Sequence, residues 1–357
     1  MRYSKEDFIV DYLYSNGGGS GYQIVLDNEL KLSDEIEIDQ NSINDKFIED
    51  ILLLDKAINI GKLTPYSLHK SHPSARSLYP IELLIKIDTG KFIKAKNFSD
   101  DYDVYKKHIN ETSKYDILLN FRDVYSKIEG YNSLRKSLVF LEIGHLQYNI
   151  NRIANLYNTN YTYKFINDTI IMTIEKLPNY YVDTDKYKDF NNKILNRTSG
   201  PYKKFLTHKS RNKKVKKYII DKPIKDAASR LYNINCDDVI YIEYFINNLY
   251  DGFDKVGTGT TIPYEKLSML YPYIDFQTSS QYVLFYIKDN ILMKNVDIGN
   301  ILSMMGYLSQ DICVNMSEQG FYNRPLKDVH YNQSSMILGE CENYTPFYAV
   351  ASGYFED

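Results

Sequence analysis

The chain has 357 residues, 43% hydrophobic and 25% charged, so it can build a large core and is longer than one average domain. Its 43 Lys and Arg against 46 Asp and Glu leave a net charge of −3, which gives no whole-chain reason to expect nucleic acid as a partner. Three scattered cysteines (Cys236, Cys313, Cys341) argue against a disulfide framework, and six histidines in no paired spacing argue against a metal site. Met1 to Val10 alternates charges without the apolar stretch of a signal peptide, and no apolar run is long enough to span a bilayer. The expectation is a soluble, cytoplasmic protein with no membrane partner.

In chain order, Gly17-Gly18-Gly19 and Gly21 precede Tyr22 to Leu26, a turn entering a strand rather than a phosphate loop entering a helix. Ile43, Phe47, Ile51, Leu54, Ala57 and Ile58 recur at helical steps and predict a helix over 41–60. Leu78 to Ile87 reads as a buried strand, Leu134 to Tyr157 as a long helix, and Ile170 to Ile174 as a strand. Between Asp183 and Lys217 the chain is rich in Lys, Asn and Asp and carries Gly200-Pro201, the composition of a surface linker.

Beyond the linker the pattern recurs. Asp237 to Tyr250 reads as a helix, Gln281 to Lys288 as a strand, Val296 to Gln319 as a helix and Pro346 to Ser352 as a closing strand. Gly257-Thr-Gly-Thr-Thr, followed by Ile262-Pro263, reads as a turn. Ser77 to Lys86 is similar to Ser279 to Lys288, and Glu142 to Asn149 is similar to Met304 to Asp311, in the same order. An internal duplication follows: an N-terminal strand-rich segment (1–40), a first lobe (41–182), a linker (183–208) and a second lobe (209–357).

The segment richest in chemistry is Ser71-His72-Pro73-Ser74-Ala75-Arg76-Ser77-Leu78-Tyr79-Pro80, then Ile81-Glu82-Leu83. It packs hydroxyls, prolines and a cation into a bend before a buried strand. That is either an ordinary loop-to-strand turn or a wall that aims donors at a flavin ring. Lys209-Ser210-Arg211-Asn212-Lys213 is either solvated linker or a phosphate contact, since clustered cations and a hydroxyl suit bidentate binding. His145, on an apolar helix face, reads as a satisfied core histidine.

Pro73-Ser74-Ala75-Arg76-Ser77-Leu78-Tyr79-Pro80-Ile81-Glu82 resembles the Pro-Ser-Ala-Gly-x-Leu-Tyr-Pro-x-Glu signature of the azoline (thiazole/oxazole) dehydrogenases, a branch of the nitroreductase superfamily that uses flavin mononucleotide (FMN). Leu141-Glu142-Ile143-Gly144-His145-Leu146-Gln147-Tyr148-Asn149 is similar to that family's Leu-Glu-Ala-Gly-His-x-x-Gln-Asn helix. The resemblance implies an α+β fold of two nitroreductase-like lobes, each a mixed sheet flanked by helices, packed as an intrachain pseudo-dimer. It also implies that Ser74, Arg76, Ser77 and Tyr79 line the flavin ring. Lys209, Ser210, Arg211 and Lys213, which resemble the Arg-x-Ser-x-Arg opening of nitroreductases, would hold its phosphate with Gly320 and Arg324. One complete site would then be shared between the halves.

Two departures stand out. Arg76 replaces the family's Gly, and the catalytic Lys-Tyr pair before the Gly-His helix is reduced to Tyr131 with Lys127 nearby but not adjacent. Tyr131 and Lys127 are the candidate catalytic residues. The implied activity is FMN-dependent oxidation of azolines to azoles in a ribosomally made precursor peptide, alongside other enzymes of a peptide-maturation complex. Two alternatives stand beside it: NAD(P)H-driven reduction of dehydroalanine or dehydrobutyrine, and a flavin-less scaffold or binding protein. Self-association into a homodimer is compatible with this reading and not required by it.

Overall fold

The computed structural model describes residues 33–37, 45–59, 68–74, 79–88, 91–96, 102–106, 117–120, 134–159, 161–166, 169–174, 182–199, 217–270, 274, 276–277, 279–292, 297–327, 334 and 343–354. The first half runs β1 (Ser33–Glu37), α1 (Lys46–Leu53), β2 (Ile58–Asn59), β3 (Leu68–His69), β4 (Glu82–Asp88), β5 (Lys91–Ala95), β6 (Tyr102–Lys106), β7 (Ile117–Asn120), α2 (Leu134–Leu156), β8 (Tyr161–Ile166) and β9 (Thr169–Ile174). Then come α3 (Thr184–Leu195), α4 (Lys222–Tyr232), α5 (Cys236–Val239), β10 (Ile240–Asn247), β11 (Gly252–Lys255), β12 (Thr261–Pro263), α6 (Tyr264–Leu270), β13 (Ser279–Lys288), α7 (Asp289–Leu292), α8 (Ile298–Glu318), β14 (Tyr322–Leu326) and β15 (Tyr344–Gly353).

Two antiparallel sheets repeat one topology. The first has strand order β1-β6-β5-β4-β7-β9-β8 and the second β12-β11-β10-β13-β15-β14. Without β1, which adds to the first sheet along β6, the second order is the first with every strand advanced by six. The long helices α2 and α8 each sit between the central and outer strands of their own half.

The duplication is therefore real in topology, but the strand equivalence differs from the expected one. Ser279 to Lys288 (β13) corresponds to β7, and the counterpart of β4 is β10. The similarity of Ser279 to Lys288 with Ser77 to Lys86 therefore does not mark a second copy of the Pro-Ser bend ahead of β13. That counterpart lies ahead of β10, around 217–239. The helix alignment of Gly144 with Gly306 holds.

The two glycines show why. A Cβ on Gly144 would lie 1.8 Å from the Ser303 carbonyl oxygen, and one on Gly306 would lie 2.0 Å from that of Leu141. Each glycine thus meets the carbonyl three residues before the other, as a local twofold axis requires. Absence of a side chain lets the two backbones touch at the crossing. Both helices are buried on nearly every side, with Ile143, Leu146, Ile150, Met304, Met305 and Leu308 in one core that joins both halves.

Other expectations shift. Asp237 to Tyr250 was read as a helix; its body is the strand β10, hydrogen-bonded on both sides to β11 and β13. Six of the eight residues in Ile-Tyr-Ile-Glu-Tyr-Phe-Ile-Asn are β-branched or aromatic, and Glu243, Phe245 and Asn247 face inward at period two. The presumed linker begins with α3, capped by Asp183 and burying Phe190 and Ile194; its polar residues are the exposed face of a helix. The helix over 41–60 is shorter, Lys46–Leu53, because Asp45 caps it by accepting from Phe47 and Ile48 N–H groups. The strand over 78–87 begins at Glu82. Gly257 and Gly259, at φ +92 and +70, sit in the tight turn between β11 and β12. The glycine cluster at Gly17 and the strand Tyr22–Leu26 lie outside the described residues.

Candidate functional site

The bend ahead of β4 is held from both lobes. Ser71 donates to the Leu54 carbonyl (2.6 Å), and its own carbonyl accepts from Asn149 of α2 and Gln310 of α8, each at 3.1 Å. The Tyr79 hydroxyl accepts from the Lys70 N–H (2.8 Å), and the Tyr79 N–H donates to Ser74 Oγ (2.9 Å). Ser74 in turn donates to Glu142 Oε2 (2.6 Å), while Glu142 Oε1 lies 3.3 Å from His72 Nε2. Tyr79 adopts φ +44, a costly backbone for a bulky residue, and these bonds over-determine it. Such strain is stored where surrounding structure specifies a shape.

The electrostatics are those of a buried, water-poor site. His72 is fully buried, and burial, with Lys70 and Arg197 close by, drives its pKa down to about 3. It is therefore neutral at physiological pH and offers its Nε2–H to Glu142. Lys70 pairs with the buried Asp55. His145 is likewise pushed down to about 3 by burial. Its Nδ1 lies 2.9 Å from Gln310 Oε1, an acceptor, so the proton sits on Nδ1 and Nε2 accepts from Tyr348 (2.9 Å) or Ser309 (3.1 Å). His145 is a satisfied core histidine.

Arg197, just after α3, is the residue that sequence reasoning missed. It is completely buried, and its Nη2 donates to the carbonyls of Lys70 (2.9 Å) and His72 (3.4 Å). Its Nε and Nη1 have no hydrogen-bond partner among the described residues. The next residues tie the second lobe to the same place. The Thr198 carbonyl accepts from the Asn323 N–H (2.8 Å) and that of Ser199 from Arg324 Nε (3.0 Å). The Pro-Ser bend of the first lobe, residues 197–199 and β14 of the second lobe thus meet at one seam.

Ser74, Tyr79 and Arg324 belong to this seam. Gly320 takes φ +79 in the left-handed turn that ends α8 and leads into β14. The Ser74 hydroxyl proton is committed to Glu142, so Ser74 holds the bend instead of pointing a free donor outward. Arg76, Ser77, Lys127, Tyr131, Lys209, Ser210, Arg211 and Lys213 lie outside the described residues. No cluster of His, Cys, Asp and Glu able to hold a metal occurs among the described residues, and no described helix is long and apolar enough to cross a membrane.

No protein-family model matches the sequence, and a search of curated proteins finds no match. Solved structures do match. A structure assigned to a nitroreductase of Anabaena variabilis superposes over 99% of this chain and 98% of its own, at TM-score 0.61 and 12% identity. The chain has the nitroreductase fold. The whole double-lobed chain is covered, so the likeness extends to both sheets and the helix crossing between them. Partial superpositions on an Escherichia coli microcin synthetase complex (14% identity, 32% of this chain and 52% of that one, TM-score 0.25) and on nitroreductase A from Vibrio parahaemolyticus (14%, 47% and 68%, TM-score 0.25) are too loose to carry an argument.

Proposed function

We propose that the chain is an FMN-dependent oxidoreductase with one composite cofactor site, at the seam where the Pro-Ser bend of the first lobe meets β14 of the second. The observation that carries this reading is Arg197: a fully buried cation touching the bend, with Nε and Nη1 unpartnered among the described residues and its neighbours bonded to β14. An unsatisfied buried guanidinium is costly unless an anionic group meets it, so the seam fits a cofactor that carries a phosphate and becomes anionic on reduction. Arg197 and Arg324 would hold its negative charge, with Lys209, Ser210, Arg211 and Lys213 as further phosphate ligands. The bend from Ser74 to Tyr79, with Arg76 and Ser77, would form the wall against the ring.

The flavin, when bound, supplies a hydride acceptor. The protein's part is to hold the bend rigid through Glu142, Asn149 and Gln310, to exclude water with a buried neutral histidine pair, and to remove a proton. In azoline oxidation one ring carbon loses hydride, the neighbouring position loses a proton, and a carbon–carbon double bond completes the azole. Tyr131, with Lys127, is the proposed proton acceptor, and molecular oxygen the final oxidant. The proposed substrate is a ribosomally made peptide, on the resemblance of Pro73 to Glu82 and Leu141 to Asn149 to the azoline dehydrogenase motifs.

The test is incubation of the flavin-loaded protein with an azoline-bearing peptide, followed by mass spectrometry. Loss of two hydrogens per ring, abolished by Tyr131→Phe with flavin content unchanged, supports the reading. A loaded protein inert to azolines that instead adds two hydrogens to a dehydroalanine peptide on NAD(P)H addition would reverse the direction of hydride flow.

A further inference from the structure

The local twofold defines a second seam, opposite the one just described. There β8 of the first lobe takes the part of β14, and the stretch before β10, including α4, takes the part of the Pro-Ser bend. Asn158, at φ +50, ends α2 fourteen residues beyond Gly144, as Gly320 ends α8 fourteen residues beyond Gly306. Arg324, however, has Thr162 as its counterpart, so the cation is not copied.

This second seam contains a cavity of about 640 Å³, within the size range of small-molecule sites. It is lined from three sides, by α2, β8 and α4, and by Asn300 of α8. Among the described residues the lining holds two cations, Lys164 and Arg230, several amides and no carboxylate. Asp297, at the start of α8, caps that helix by accepting from the Gly299 and Asn300 N–H groups. Arg230 makes no side-chain hydrogen bond or ion pair among the described residues. Behind the wall, the phenols of Tyr161 and Tyr232 donate to the backbone and side-chain oxygens of Gln147, whose Nε2 is buried and has no partner among the described residues.

We propose that this cavity is a separate site for a phosphorylated nucleotide, its phosphates met by Arg230 and Lys164 and its polar ring edges by the amides of Asn151, Asn233 and Asn300. Two cations facing one cleft, Arg230 among them with no side-chain partner among the described residues, suit an anion with spread charge, such as a diphosphate. Amides that both donate and accept suit a heterocycle and a ribose better than an aliphatic acid. The site is independent of the flavin reading, because no residue lining it belongs to the first seam.

Calorimetric titration of the full chain with pyrophosphate, and then with ADP, tests the proposal. One saturable site per chain is expected, with ADP binding tighter than pyrophosphate. Affinity should fall about tenfold in Arg230→Gln and in Lys164→Gln, the loss of one charge-assisted contact. Both side chains are exposed, so folding should be unaffected, and flavin content should be unchanged in both variants. Absence of binding by either probe, or binding indifferent to both substitutions, overturns the proposal. So does a second FMN per chain that is lost with Arg230→Gln, which would make the cavity a duplicate cofactor site.

Discussion

Replacing Gly144 by Ala is the sharpest probe of how the lobes are joined. In a solvent-exposed helix interior the change would stabilise by roughly 1 kcal/mol, because Ala is the better helix former. Here the new methyl would sit 1.8 Å from the Ser303 carbonyl oxygen and 2.7 Å from the Tyr307 nitrogen. These are backbone atoms of a buried helix and cannot rotate away. Restoring an ordinary contact requires α2 and α8 to part by more than about 1 Å, which breaks packing along the whole crossing; overpacking of this kind costs about 3 kcal/mol or more. Gly306→Ala should cost a similar amount, since its methyl meets the Leu141 carbonyl at 2.0 Å. Moving the helices apart once relieves both clashes, so the double variant should be less destabilised than the sum of the two. Urea denaturation followed by circular dichroism reads all three. Single variants within about 1 kcal/mol of the parent, or fully additive costs, would refute the crossing described above.

Further outcomes follow from the buried groups. Ser74→Ala removes the hydroxyl that satisfies Glu142 Oε2 and the Tyr79 N–H, and should cost about 1–3 kcal/mol while weakening flavin retention; an unchanged urea midpoint would refute its place in the bend. His72 and His145 are held near 3 in the fold against 6.5 when unfolded, so below pH 6.5 the unfolded chain binds protons that the folded chain refuses, and stability falls as pH drops toward 3. Asp311, raised by burial, runs the opposite way, so the clean readout is a difference: His72→Gln should flatten the slope by about 1.4 kcal/mol per pH unit between pH 6 and 4, and equal slopes would contradict it. Cys236 and Cys313 are buried, with thiols pushed up to about 12, so neither should react with a thiol reagent in the native protein; rapid labelling of either, mapped by mass spectrometry, would contradict their placement.

Much of the architecture was legible because long helices and buried strands carry strong periodic signals. Leu134 to Tyr157 and Val296 to Gln319 came within two residues of α2 and α8, and the likeness of their glycine segments proved to be a structural equivalence. The strand alignment failed for a physical reason. Buried strands share an apolar, tyrosine-rich composition, so Ser279 to Lys288 is similar to Ser77 to Lys86 without occupying its place in the sheet. β10 was misread because its inward residues include Glu243 and Asn247, polar groups paired within the fold that hide a period of two. The bend was legible as a motif, but its mechanics were not. Glu142, Asn149, Arg197 and Gln310 converge on it from positions up to 239 residues away. No local pattern marks Arg197 as different from any other arginine after a polar helix.

The central claim is a single flavin site built from both lobes, and the absorbance spectrum of the purified chain tests it most directly. The account predicts a flavin spectrum with one FMN per chain, released and identified by mass, and lost in both Arg197→Met and Arg324→Ala proteins that still fold. A folded chain that is colourless and takes up no added FMN, or one whose flavin survives both substitutions, would contradict it.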